Sequence, residues 1–94
     1  MPRETVEMLL LPRGEVKDKR SVERLASLLG DAAVVGEPDE RRVFEVEIEA
    51  DDVEQARHRV WNAVAVSGTT DNIKLLEHPD LPEQWLPMSG PARG

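Results

Sequence analysis

The sequence predicts an α+β domain of order β-α-β-β-α-β, a four-stranded antiparallel sheet with two helices on one face. Three observations carry that prediction. From Arg42 to Ala50 apolar and acidic side chains alternate with period two, the signature of a strand buried on one side. From Val53 to Val64 one apolar stripe recurs at the helical period. The same helical stripe occurs once before, over Val22, Leu25, Ala26 and Leu29.

Taken in order, Glu4–Leu11 reads as the first strand. Val6, Met8 and Leu10 share one face, and Glu7, Leu9 and Leu11 share the other. Apolar residues on both faces place this strand in the middle of the sheet. Pro12, Arg13 and Gly14 end it, because proline cannot donate to a ladder and glycine relaxes the turn. The first helix is expected to start near Asp18 or Ser21 and to stop at Gly30, a residue suited to a C-terminal cap. Ala32–Val35 gives a short second strand, joined by Glu37, Pro38, Asp39 and Glu40 in a hairpin to the strand from Arg42. In that third strand Phe44, Val46, Ile48 and Ala50 face the core, while Glu45, Glu47 and Glu49 face away.

Asp52 followed by Gln55 has the capping-box spacing, and carboxylates suit the positive end of a helix dipole. The second helix then lays Val53, Ala56, Val60, Trp61, Ala63 and Val64 on the core and stops at Ser67 and Gly68. A last strand runs from Asn72 to His78, with Ile73 and Leu75 on one face and Leu76 and His78 on the other. With right-handed crossovers this order closes into a ferredoxin-like sandwich over residues 1–78. Residues 79–94 form a proline-rich tail, interrupted by Pro82, Pro87 and Pro91, that is expected to dock in part around Trp85.

Composition narrows the function classes. At 94 residues the chain makes one domain. The absence of cysteine removes disulfides, zinc-thiolate sites and thiol nucleophiles. The opening residues have no apolar signal region and no stretch approaches the ~18 apolar residues of a membrane span, so a cytoplasmic protein is expected. A net charge of -7 disfavours nucleic acid and anionic membranes as partners. One phenylalanine, two tryptophans and no tyrosine leave few rings for stacking on bases.

Candidate sites are few. A metal needs three or four converging ligands, and His58 has only Glu54 as a helical neighbour, so no metal and no cofactor is expected. His78, at a strand end before Pro79, is the candidate catalytic residue, since imidazole titrates near neutral pH. Between Arg13 and Arg24 five basic residues meet three acidic ones. There Arg13, Gly14, Lys17 and Arg20 form a candidate anion site at a helix start, set against the plainer reading of a solvated helix face. Glu45, Glu47 and Glu49 stand about 7 Å apart along their strand, too far to share one ion without other ligands. Trp61 belongs to the core. Leu9, Leu11 and Leu76, on the sheet face away from the helices, and Trp85 in the tail are the candidate interface.

From Phe44 to Val60 the acidic strand and the helix that follows resemble the second half of several small ferredoxin-like modules. They are similar to the small subunit of the bacterial formylglycinamide ribonucleotide amidotransferase and to ACT-type regulatory domains. The resemblance covers about a third of the chain. It implies an accessory or regulatory role rather than catalysis. The Asp-Pro segment and basic second hairpin of the purine subunit are absent, as is the Asp-Arg-Pro-Gly pattern of ACT domains. No binding residue is carried over from either family. The loop and Arg/Asn pattern of acylphosphatase, which shares the fold, are also missing.

The sequence therefore leads to a binding, accessory or regulatory module that forms a homodimer through its open sheet face and has room for a protein partner. Two alternatives stand beside it. One is a cofactor-free enzyme of the dimeric α+β barrel type using His78, Asn62 and a tryptophan; the other is a subunit of a larger complex.

Overall fold

The computed structural model describes residues 2–79. The tail from residue 80, with Trp85, lies outside them. Strand β1 (Arg3–Leu10) leads to helix α1 (Glu15–Leu29), a single 3-10 turn (Gly30–Ala32) and strand β2 (Ala33–Val35). Strand β3 (Val43–Glu49), helix α2 (Val53–Ser67) and strand β4 (Ile73–Leu75) complete the domain. The sheet has the order β2-β3-β1-β4, and every neighbouring pair is antiparallel. The result is an α+β fold in which β1 is central together with β3, although among the outward residues of β1 only Leu9 is apolar. The two edge strands have only three residues each.

Register follows from the alternation. Val6 pairs with Val46 and Met8 with Phe44, while Met8 and Leu10 pair on the other side with Leu75 and Ile73. These side chains form the core with Leu25 from α1 and Ala56, Val60, Trp61 and Val64 from α2. On the opposite face Glu7 lies across from Glu45 and Thr5 from Glu47, while Arg3 faces Glu49. Like charges directly opposed cost sheet stability, and the Arg3–Glu49 pair offsets this at one end only.

The junction from β3 to α2 behaves as its residues dictate. The Asp52 side chain accepts the Gln55 amide at 2.8 Å, and the Gln55 side-chain oxygen accepts the Asp51 amide at 2.7 Å. The return bond thus lands one residue before the cap. Gly68 closes the helix in the left-handed conformation. Val53, placed on the apolar stripe by its spacing, is 38% exposed and lines a small hollow with Thr5, Val6, Leu75 and Glu77. Helix α1 begins at Glu15, earlier than Asp18 or Ser21. Gly14, at φ 115°, turns the chain into the helix, and its carbonyl accepts the Asp18 amide at 2.8 Å. The first turn carries no apolar stripe, and Val16 within it is 70% exposed.

Candidate functional site

The β2–β3 hairpin places the residue around which the site is built. Asp39 organises the turn: its carbonyl accepts the Arg42 amide at 2.9 Å, and its carboxylate accepts the amides of Arg41 and Val43. The Val43 amide, with Arg41 beside it, holds the Asp39 carboxyl below its usual range. Arg42 is left at φ 66°, a left-handed conformation that hairpins usually give to glycine. That conformation lets its carbonyl accept the Leu10 amide at 2.8 Å while its Nε donates to the Leu10 carbonyl at 2.8 Å. Its Nη2 donates to Asp18 on α1.

Asp18 is the meeting point of four segments. Its carboxylate accepts the Arg13 amide from the β1–α1 turn at 3.0 Å and the Asn72 side-chain amide from the start of β4 at 3.0 Å, besides the Arg42 guanidinium. Asn72 is fully buried and donates as well to the Leu11 carbonyl at 2.7 Å. Its Oδ1 has no hydrogen-bond partner among the described residues. The Asn72 bond, then the Arg42 and Arg13 contacts, hold the Asp18 carboxyl below the ordinary carboxylate range against the opposing effect of its burial.

Beside this knot lies a half-open cleft of about 790 Å³. Leu10, Pro12, Val22, Ala26, Val35 and Pro38 supply its apolar walls, and Asp18 and Arg42 close one side. Glu15, Lys19 and Glu23 on α1 and Glu37 on the hairpin form its rim. Size and apolar lining match the concave sites that take small ligands.

The anion-site candidates divide. Gly14 lines the cleft, whereas the Lys17 ammonium pairs with Asp71 and holds that carboxyl low. The Arg13 guanidinium donates to the Pro12 carbonyl at 3.0 Å, and Arg20 is exposed on α1. The Arg13 amide, one residue ahead of the N-cap Gly14, is taken by Asp18, while the first amides of α1 itself have no side-chain cap. His78 and Asn62 are both exposed, Trp61 is buried in the core, and His78 lines neither the cleft nor a second hollow of about 110 Å³ near Arg57 and Glu77. Leu9, Leu11 and Leu76 are half-buried; Leu9 faces Val43 and Lys74 across the sheet, and the Leu76 amide donates to the Glu7 carbonyl at 3.0 Å. Among the described residues no group of three His, Asp or Glu side chains is placed to hold a metal, and no helix is long and apolar enough to cross a membrane.

Sequence reasoning missed Asp18, Arg42 and Asn72 as a unit. A signal for Asp18 was present: it falls four and seven residues before Val22 and Leu25, so a carboxylate stands on the apolar stripe of α1. The segment from Glu37 to Arg42 contains no glycine, so a left-handed turn position there had to fall on another residue. Asn72 gave no local signal. Comparison of the chain with protein-family models, with curated proteins and with solved structures finds no match.

Proposed function

We propose that this chain is a cytoplasmic ferredoxin-like binding module, accessory or regulatory in role, that pairs with a second copy through its open sheet face. The strand order β2-β3-β1-β4, threaded as β-α-β-β-α-β, supports the ferredoxin-like reading. The accessory role rests on the resemblance of the β3–α2 segment to small modules of that kind. One observation carries the pairing: the helices cover a single face of the sheet, and the other holds half-exposed leucines at one end, Leu9 and Leu76, with Leu11 just beyond the strand.

Farther from the leucines carboxylates predominate on that face, with Glu7 opposite Glu45 and Glu47 and Glu49 beyond them, alongside Arg3, Thr5 and Val34. Two copies therefore overlap at the leucine end and splay their carboxylates into solvent. Such a dimer strengthens as salt screens the carboxylates, which distinguishes it from association through ion pairs. Sedimentation of the full chain at tens of micromolar is expected to give a dimer mass that is favoured by salt. Leu9→Glu combined with Leu76→Glu is expected to give a folded monomer. A strict monomer for the unaltered chain at both low and high salt rejects the reading.

A further inference from the structure

We propose that the cleft between α1 and the β2–β3 hairpin is a binding site for a small organic cation with an apolar body, an ammonium or guanidinium on an aromatic ring or short hydrocarbon chain. The argument begins with which charges are already spent. Arg42 commits Nε to the Leu10 carbonyl and Nη2 to Asp18, so it reaches the cleft as half of a neutral pair. The Arg13 amide, one residue ahead of the α1 N-cap Gly14, is likewise taken by Asp18, and Glu15 and Asp18 place carboxylates in the first turn of the helix. An anion entering here would compete with Asp18 for both the Arg42 guanidinium and the Arg13 amide.

The uncommitted charges at the rim are negative by three to one. Glu15, Glu23 and Glu37 take part in no ion pair among the described residues, and Lys19 is the rim's single cation. Carboxylates stand on both banks, two on α1 and one on the hairpin, above apolar walls that include Leu10, Val22 and Val35. A chain of net charge -7 adds a field of the same sign. An apolar body therefore fits the walls while its cationic end meets the rim. The volume, about 790 Å³, lies in the range of small-molecule sites. The walls are also fixed: Asp39 orders the hairpin bank, and the Asp18–Arg42–Asn72 knot ties α1 to β3 and β4.

The test titrates the isotopically labelled full chain with 2-phenylethylammonium and, separately, with phenylacetate, its near-isosteric anion, following backbone amides by NMR. The cation is expected to shift Gly14, Lys19, Gly36 and Glu37 and to bind about tenfold more tightly than the anion, the size of one surface charge contact. Glu23→Gln with Glu37→Gln, two exposed positions whose replacement leaves the core intact, is expected to abolish that preference. Equal binding of both probes, preference for the anion, shifts confined to other surfaces, or no response to the cation at about 10 mM overturns the proposal. So does a preference that persists in the double variant.

Discussion

Helices α1 and α2 each contain fifteen residues, yet α2 buries five side chains, all apolar, and α1 buries three, of which only Leu25 is apolar. The other two on α1 are Asp18 and Ser21. Helix α2 is attached by displacement of water from Ala56, Val60, Trp61, Ala63 and Val64, a non-directional force that works along its length. Helix α1 is attached at its first turns by hydrogen bonds and an ion pair, and farther along by Leu25 with half-buried Val22 and Leu29. A helix held this way need not press every turn onto the sheet. The cleft runs along α1 from the knot at Asp18 to Ala26, where Val22 and Ala26 are only partly covered. Packing closes one helix down; directed bonds hold the other in place with space beside it.

The comparison breaks most readily at the core. Trp61→Ala is expected to cost about 3–5 kcal/mol of unfolding free energy in urea, because it empties the largest fully buried side chain. Leu25→Ala on α1 is expected to cost less, about 2–3 kcal/mol, since it removes fewer buried atoms than loss of the tryptophan. A larger loss from Leu25 would remove the distinction between the helices.

A second test sharpens the polar half. The Asp18 carboxyl titrates below its unfolded value of 3.8, so its stabilising effect is complete above that pH and is lost as pH falls through the folded value. Asp18→Asn is expected to lower stability at neutral pH and to flatten the acid limb of the stability curve, followed by circular dichroism. Some slope remains, because Asp39 and Asp71 are lowered in the same direction. An unchanged acid limb would show that α1 does not depend on the knot. The smallest effect is expected at Lys17, whose pair with Asp71 is about half exposed on both sides. Lys17→Ala should change stability by no more than about 1 kcal/mol.

Much of the fold was legible because it rests on short-range periodicity. The alternation in β3, the Asp52–Gln55 cap and the Gly68 stop each lie within one local stretch, and the structure realises each of them. Helix α1 was read late because its first turn is apolar nowhere except at exposed Val16, so no stripe announced it. The site was less legible for a different reason. Asp18 and Asn72 are 54 residues apart, and Asp18 and Arg42 are 24 apart, so only the closed sheet brings them together. The basic run from Arg13 to Arg24 drew attention because it is local, but the folded chain directs Lys17 to Asp71 and Arg13 to its neighbour's carbonyl. Charge along a sequence identifies the groups present and leaves open which of them are already neutralised.

The brevity of β2 and β4 has a consequence for behaviour in concentrated solution. At the β2 border little is left to template growth, because the hairpin carries the pairing on past β2, with the Gly36 amide on the Glu45 carbonyl and the Asp39 amide on that of Val43. The other border differs. Strand β4 meets β1 only from Met8 to Leu10, and the Leu76 amide extends that to Glu7, so the outer side of Arg3, Glu4, Thr5 and Val6 has no strand partner among the described residues. Lateral accretion, the route by which exposed edges seed fibrils, would start there. Charged Arg3 and Glu4 on that stretch are the groups expected to discourage it. Loss of β2 through a disrupted hairpin turn would lay bare β3 and add a second such edge.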